Sequence, residues 1–177
     1  MKLLGGDISV ESKEGEGSFF SFDVWMPLAV PEAESDLPAI TDATDISNLF
    51  TGKRALLVDD VMVNRVIATD LLSSTGMDID EADDGSVALR MFEESAENTY
   101  DIIYMDVQMP TMDGYEATSS IRALNRADAQ TVPIVAITAN AFKDDVEKAL
   151  AHGMNTHLAK PIEMDKLLET SMKYLLK

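Results

Sequence analysis

Residues 101–114 read Asp-Ile-Ile-Tyr-Met-Asp-Val-Gln-Met-Pro-Thr-Met-Asp-Gly, and they combine a strand-like run with a turn-rich segment. An apolar run of strand length ends on the carboxylate of Asp106, and Pro110 and then Asp113-Gly114 follow it. Such a run is typical of a buried parallel strand, and Pro and Gly mark the loop that leaves it. A lone Asp at a strand end is often only a helix cap or a turn residue. The rest of the chain indicates a chemical role instead, because open α/β sheets carry their sites at the carboxyl ends of their strands.

Strand and helix signals alternate from Lys53 onward. Short apolar or alternating runs predict five strands, at residues 55–58, 78–82, 101–105, 132–137 and 155–159. Apolar residues at helical spacing follow each predicted strand. In the first predicted helix they are Val63, Ile67 and Leu71, which form an apolar stripe. Phe142 lies near the start of the fourth predicted helix. Five consecutive βα units predict an α/β fold of the flavodoxin-like kind, a doubly wound five-stranded parallel sheet with strand order 2-1-3-4-5.

The amino-terminal part of the chain has a different pattern. Two runs that alternate apolar and polar residues flank Gly15 and Gly17, which predicts a β-hairpin within residues 1–28. Residues 29–52 combine prolines and scattered acidic residues with weak periodicity, which indicates a linker with a short helical turn near residues 46–50. We therefore expect an N-terminal hairpin extension at 1–28, a linker at 29–52 and the α/β domain at 53–177.

Composition argues against several classes of protein. The 177 residues include no cysteine, which excludes disulfides, zinc ribbons and thiol catalysis. The formal net charge is −18, and an acidic chain without a basic patch is a poor nucleic-acid binder. No apolar run approaches the roughly 18 residues of a membrane-spanning helix, and no signal peptide opens the chain, so we expect a soluble chain.

Polar side chains follow four of the predicted strands: Asp59 and Asp60, then Asp106, then Thr138, then Lys160. The carboxyl ends of parallel strands share one edge of a sheet, so we expect these side chains to converge. Three carboxylates at that range require a cation, and an all-oxygen donor set suits Mg²⁺ or Mn²⁺. A carboxylate at Asp106 could then attack phosphorus and form an aspartyl phosphate, with Lys160 and Thr138 contacting the phosphoryl oxygens.

These motifs resemble the receiver domain of two-component response regulators, and the resemblance covers residues 53–177. It rests on five motifs in a fixed order, which are Val58-Asp59-Asp60, Met105-Asp106-Val107-Gln108-Met109-Pro110, Met112-Asp113-Gly114, Thr138-Ala139 and Lys160-Pro161. The resemblance implies that Asp106 is the phospho-acceptor and that Asp60 and Asp106 bind Mg²⁺ directly. It also implies that Gln108 adds its backbone carbonyl and that Asp59 acts mainly through water.

The same resemblance assigns the remaining site residues. Thr138 has the switch role, and Lys160 binds the phosphoryl group. His157 lies where the family usually has a switch aromatic, and in that role its ring would turn inward when Thr138 moves. The alternative is that His157 is an ordinary, half-exposed histidine of a strand. The bond between Lys160 and Pro161 resembles the family's cis peptide, an option open mainly to X–Pro bonds.

A second resemblance concerns the hairpin. Leu4-Gly5-Gly6, followed by the two alternating runs, resembles the last strands of a histidine-kinase ATPase domain, and Asn64-Arg65 resembles the receivers of hybrid kinases. No ATP site and no phospho-accepting histidine are expected within these residues. The implied partners are the phospho-His domain of a histidine kinase, a histidine phosphotransfer protein, or both. The implied location is cytoplasmic, with any membrane anchor elsewhere in a parent protein.

Other functions are weaker interpretations of the same residues. A Mg²⁺-dependent phosphatase would typically carry a second catalytic Asp two residues after the first, where this chain has Gln108. A DNA-binding regulator would need an effector domain, and we expect none after the last helix. A scaffold that is never phosphorylated is not supported, because every acceptor-site residue is present. The family resemblance also makes the face built from the fourth helix, fifth strand and fifth helix a candidate surface for a partner or a homodimer.

Overall fold

The computed structural model describes residues 8–13, 15, 17–22, 46–139 and 143–176, which fall into two units. The first unit contains an antiparallel hairpin of β1 (Ile8–Lys13) and β2 (Gly17–Phe22). Gly15 and Gly17 have φ angles of 82° and 106°, in the region that favours glycine, and this explains their place at the turn. The predicted hairpin is confirmed. The Leu4-Gly5-Gly6 motif and most of the predicted linker lie outside the described residues.

The second unit alternates strands and helices, as the sequence predicts. Its elements are β3 (Arg54–Val58), α1 (Met62–Ser73), β4 (Asp78–Ala82), α2 (Gly85–Glu94), β5 (Ile102–Asp106), α3 (Gly114–Ala123), β6 (Ile134–Thr138), α4 (Lys143–Ala151), β7 (Thr156–Ala159) and α5 (Met164–Leu175). The five strands are parallel and lie in the order β4-β3-β5-β6-β7. This is the predicted order 2-1-3-4-5. Phe142, which the sequence places near the start of α4, lies outside the described residues.

The central strand β5 is buried over its full length, which explains why its sequence is continuously apolar. Ile103 and Met105 pack on one face of the sheet with residues of α2 and α3, and Ile102 and Tyr104 pack on the other face with residues of α1 and α5. The hydroxyl of Tyr104 forms a 2.6 Å hydrogen bond with Ser171 of α5 inside the second cluster. The central strand is therefore held by a hydrophobic layer on each side.

The predicted apolar stripe of α1 is wrong at two of its three residues, because only Leu71 packs, partly buried, against the core. Val63 and Ile67 are 60% and 52% exposed, and Ala68 and Leu72 are the residues that α1 buries against the sheet. The helix carries apolar residues on two faces, so the spacing predicts the helix correctly but does not decide which face packs. The exposed face begins immediately after the acidic pair that follows β3.

The carboxyl end of the predicted linker belongs to the α/β unit. A short 3₁₀ helix, Ile46–Asn48, is followed by Phe50, whose side chain is 1% exposed in the second hydrophobic cluster. The backbone N–H of Phe50 donates to the carbonyl of Thr75 at 2.9 Å, which ties this segment to the loop after α1. Ile46, Leu49 and Phe50 have helical spacing, which agrees with the predicted helical turn, but three apolar residues do not indicate which neighbouring element buries them.

A buried ion pair fixes the loops that follow α2 and α3. The guanidinium of Arg126 binds both carboxylate oxygens of Asp128 at 2.7 and 2.8 Å and lies 4.5 Å from the ring centre of Phe92. It also donates to backbone carbonyls at the end of α2, including that of Ser95 at 3.0 Å. The hydrogen bond from Arg126 lowers the pKa of Asp128 to about 2, against the opposing effect of burial.

We predict that Asp128→Asn lowers the free energy of unfolding at pH 7 by about 2 kcal/mol, because it removes a charge-assisted acceptor from a buried guanidinium. The folded pKa of Asp128 lies below its ordinary value of 3.8, so its contribution to stability is complete above that value. The contribution is lost as the pH falls toward 2. Urea unfolding at pH 7 and pH 3 should show a smaller difference between parent and variant at pH 3.

The matched control for this prediction is Asp70→Asn, at an exposed position of α1. It removes the same charge and should change the free energy of unfolding little at either pH. A difference between parent and Asp128→Asn that does not depend on pH would contradict the assignment.

Candidate functional site

The polar residues predicted for the carboxyl edge of the sheet meet there. Asp59 follows β3, Asp106 ends β5, and these two strands are neighbours. One carboxylate oxygen from each of Asp59, Asp60 and Asp106 lies within 4.8 Å of the others. Asp59 and Asp106 are buried and Asp60 is exposed, so the cluster has a closed end inside the fold and an open end toward solvent.

Lys160 joins the two buried carboxylates. Its Nζ lies 2.7 Å from Asp59 Oδ2 and 2.7 Å from Asp106 Oδ2. Burial raises the pKa of Asp106, and the nearby charge of Asp59 adds to this, while Lys160 opposes it. Burial lowers the pKa of Lys160, but its hydrogen bonds to Asp106 and Asp59 outweigh that effect and raise it. Lys160 is therefore held as a cation between the two carboxylates.

The loop after β5 surrounds Asp106 with backbone groups. The N–H of Gln108 donates to Asp106 Oδ1 at 3.2 Å. Asp113 caps α3 by accepting from the N–H of Glu116 at 2.8 Å. A Cβ at Gly114 would overlap the carbonyl oxygen of Asp106, so only glycine allows α3 to begin this close to Asp106.

Thr138 and His157 lie on the same face of the sheet. Thr138 ends β6 and is buried, and its carbonyl accepts a 2.8 Å hydrogen bond from the N–H of Lys160. His157 is half-buried in β7, where it pairs with Ala136, two residues before Thr138. The peptide bond between Lys160 and Pro161 is cis, as the resemblance implies.

An open cleft of about 460 Å³ borders the site on the side of α4. Gln108 and Thr138 line it next to the site, and Tyr115 and Lys148 line it farther out. The ammonium of Lys148 lies 4.2 Å from the ring centre of Tyr115. Thr138 therefore borders an open cleft, whereas the buried carboxylates of Asp59 and Asp106 are not among the residues that line it.

Sequence reasoning missed several residues that position the site. Asn64 donates its side-chain amide to both oxygens of Asp59, and Arg65 donates to the Asp59 carbonyl at 2.7 Å. Asp84 caps α2 by accepting from Ser86 N–H at 2.8 Å, and its other oxygen accepts from the loop at Met112. The Asp-Gly pair before a helical run is a cap signal that could have identified Asp84. No local pattern reveals the partner of Asn64.

The donor set fits a divalent cation. Three carboxylates and one ammonium leave the cluster with two negative charges, and all the ligand atoms offered are oxygens. Hard divalent ions such as Mg²⁺ prefer that chemistry. The residues present would therefore bind such an ion at the exposed end of the cluster.

Comparison with known proteins agrees with this geometry. The family model of the response regulator receiver domain matches residues 55–171. The chain belongs to this family. It is a receiver domain of two-component phosphorelay signalling, preceded by a β-hairpin. In an alignment of 179 positions that covers 99% of this chain, it is 35% identical to Sensor protein EvgS of Escherichia coli K12. The receiver chain spans 14% of the length of EvgS.

Solved receivers have the same fold. The receiver domain of sensor histidine kinase PA1611 from Pseudomonas aeruginosa, whose crystal structure has magnesium in the active-site cleft, is 38% identical, with a TM-score of 0.65. That match covers 72% of this chain and 100% of the other. The Ssk1 receiver of Saccharomyces cerevisiae, crystallised with the histidine phosphotransfer protein Ypd1, is 28% identical, with a TM-score of 0.62, over 71% of this chain and 90% of its own.

The part of the chain that the structure describes contains no helix of the length and apolarity that crossing a membrane requires.

We predict that Mg²⁺ raises the melting temperature of this receiver and that Asp60→Asn weakens the effect. An ion that binds only the folded state stabilises it by about 2.7 kcal/mol at a hundred times its dissociation constant. Loss of the exposed carboxylate should raise that constant about tenfold or more, since even residues behind the ligands have effects of that size. Melting curves of the parent and of Asp60→Asn over a series of Mg²⁺ concentrations measure both the shift in melting temperature and the dissociation constant.

Asp70→Asn is again the control, because it makes the same change of charge at an exposed site on α1. Equal Mg²⁺ responses for Asp60→Asn and Asp70→Asn would mean that the ion is attracted only by the net charge of the chain.

Proposed function

We propose that this receiver accepts a phosphoryl group on Asp106 from a phospho-histidine and relays it or switches in response. The observation that supports this most directly is the position of Lys160, 2.7 Å from a carboxylate oxygen of both Asp106 and Asp59. An ammonium held there neutralises charge beside the attacking group and stays close when phosphoryl oxygens arrive. The ion pair with Asp59 keeps Lys160 in place while Asp106 reacts.

The transfer is a displacement at phosphorus. A carboxylate oxygen of Asp106 forms a new bond to phosphorus as the bond from phosphorus to the donor's imidazole nitrogen breaks, and the electron pair leaves with that nitrogen. The leaving imidazole takes up a proton or already carries one. The hydrogen bond from Gln108 N–H to Asp106 Oδ1 orients the carboxylate for this step.

We further propose the roles that the resemblance implies for the other residues. Asp60 and Asp106 would hold Mg²⁺, or Mn²⁺, together with the backbone carbonyl of Gln108, and Asp59 would act through water. The bound ion would supply positive charge between the carboxylate and the incoming phosphoryl oxygens.

In the same proposal Thr138 and His157 form the switch. Thr138 would hydrogen-bond the phosphoryl group, and His157, on the same face of the sheet, would respond when Thr138 moves. A receiver of this kind would catalyse only its own phosphorylation and its slow loss. Gln108 stands where a phosphatase would need a second catalytic carboxylate.

Intact mass spectrometry tests the acceptor. Incubation with acetyl phosphate and Mg²⁺ should add one phosphoryl group to the parent and none to Asp106→Asn. Lys160→Met, which removes the ammonium but keeps the length of the side chain, should slow the reaction by at least about a hundredfold, or about 2.7 kcal/mol. No addition to the parent under any condition would favour a scaffold, and addition from ATP alone would contradict the proposal.

The exposed face of α1 supports a docking surface for a histidine phosphotransfer protein. Its apolar residues are 46–66% exposed and start directly after the acidic pair: Val61, Met62, Val63, Val66 and Ile67. A partner that delivers phosphorus to Asp106 must cover this edge of the sheet, and contact with such a patch would contribute binding energy there. The Ssk1 receiver, a relative with this fold, was crystallised with such a partner.

We predict that Val63→Ser with Ile67→Ser slows phosphoryl transfer from a phosphorylated phosphotransfer protein, with Ypd1 as the first to try. The expected loss is about tenfold, or 1.4 kcal/mol, for two exposed apolar anchors. Phosphorylation by acetyl phosphate, which needs no docking, should not change.

Leu150→Ser is the matched control, since Leu150 is 50% exposed on α4. It tests the surface formed by α4, β7 and α5, which remains our predicted site for a partner or a homodimer. A loss confined to Leu150→Ser would move the docking site to that surface. Size-exclusion runs with and without a phosphoryl mimic test the homodimer.

The hairpin and the linker suggest the parent protein. We propose that residues 1–28 are the last strands of a histidine-kinase ATPase domain and that residues 29–52 connect it to the receiver at 53–177. The match to EvgS supports this, because it extends over 99% of the chain and includes the hairpin. Val10, Phe19 and Phe20 are exposed apolar residues of the hairpin, as expected for strands whose neighbours lie elsewhere. The parent would then be a hybrid histidine kinase in the cytoplasm or anchored to a membrane.

A further inference from the structure

The Asn64 side chain is hydrogen-bonded to the most buried part of the acidic cluster. Its Nδ2 lies 3.1 Å from Asp59 Oδ1 and 3.2 Å from Asp59 Oδ2, so a single amide bridges both oxygens of the carboxylate. Asn64 lies in the first turn of α1 and is half-buried. Its position in sequence, five residues after Asp59, does not by itself predict this contact.

Protein donors contact both oxygens of the Asp59 carboxylate. Oδ1 accepts from Val61 N–H at 2.9 Å and from Asn64, and Oδ2 accepts from Asn64 and from Lys160 at 2.7 Å. Three protein donors, the N–H of Val61, the amide of Asn64 and the ammonium of Lys160, therefore hold the Asp59 carboxylate in one orientation.

The next residue fixes the backbone of the same loop. Arg65 Nη1 donates to the carbonyl of Asp59 at 2.7 Å, and its Nε lies 3.3 Å from Glu81 Oε2 on β4. Thr69 on the next turn of α1 donates to the other oxygen of Glu81 at 2.8 Å. The start of α1 therefore positions both the side chain and the backbone of Asp59, and the anchor for this lies on a neighbouring strand.

We infer that Asn64 is a positioning residue of the receiver site: by bridging both oxygens of Asp59 it fixes the carboxylate that shares Lys160 with Asp106, and so preorganises the cluster for a divalent cation. This rests on the proposed function, since it presumes that the cluster binds such an ion. Without the amide, Asp59 keeps two donors and can rotate, so the ion must order the carboxylate when it binds. Loss of an outer hydrogen-bond partner of this kind typically costs about 10- to 100-fold in metal affinity.

Mn²⁺ binding measured by electron paramagnetic resonance tests this without any phosphorylation. Asn64→Leu keeps the approximate size of the side chain and removes the donor, and Asn64→Ala removes it without adding apolar surface. Both should raise the dissociation constant of Mn²⁺ about tenfold. Asn64→Gln, which keeps an amide donor, should restore most of the lost affinity. Ser73→Leu, at an exposed position in the last turn of α1, should bind as the parent does.

A second readout separates positioning from general damage to the fold. With acetyl phosphate as donor, the Mg²⁺ concentration that gives half the maximal rate should rise about tenfold in Asn64→Leu, in line with the affinity loss. The rate at saturating Mg²⁺ should change much less. Melting temperatures without metal should match those of Ser73→Leu.

The outcomes are distinguishable. Parent-like Mn²⁺ affinity in folded Asn64→Leu and Asn64→Ala would overturn the role of Asn64 and leave the proposed metal site intact. Loss of affinity in all three Asn64 variants, including Asn64→Gln, would overturn the role of the amide and indicate a steric effect. If the parent itself binds Mn²⁺ no better than Asp60→Asn, both the metal site and this inference are wrong.

Discussion

One half-buried lysine shared by two buried carboxylates is the constraint on which the site depends. Asp59 and Asp106 are both nearly inaccessible to solvent, and two such charges could not be buried side by side without Lys160 between them. The lysine follows β7, at one border of the sheet, and reaches past the end of β6 to carboxylates that follow β3 and end β5. The strand order therefore determines the chemistry, because only neighbouring β3 and β5 bring the two carboxylates together.

Around this triad lies a layer of residues that have no direct part in the transfer. Asn64 and Arg65 hold the Asp59 loop from α1, and Asp84 connects the start of α2 to the loop near Met112. The absence of a side chain at Gly114 lets α3 begin against the backbone of Asp106. The starts of three helices thus converge on one edge of the sheet and orient side chains that the strands alone would leave free to rotate.

The two sides of the site differ in chemical character, and the proposed function uses both. The α1 side presents exposed apolar residues beside the acidic pair, which suits a protein partner that must bring phosphorus to Asp106. The α4 side has an open cleft bordered by Gln108 and Thr138 with Tyr115 and Lys148 beyond, which leaves room for a rearrangement that follows the transfer. In the proposed function, delivery of the phosphoryl group and the response to it would therefore involve different surfaces of one small domain.

The alternation of strands and helices and the residues of the acidic cluster with Lys160 and Thr138 could be predicted from the sequence, because local apolar runs and polar residues at strand ends indicate them. The strand order was expected from the flavodoxin-like fold class that such an alternation favours, and the parallel topology brings the strand ends to one edge. Only the tertiary structure decided which face of α1 packs, because apolar residues on both faces fit the same helical period. It alone placed Phe50 in the core, paired Arg126 with Asp128 and joined Asn64 to Asp59. Such contacts depend on the relative position of elements, which spacing along one element does not encode.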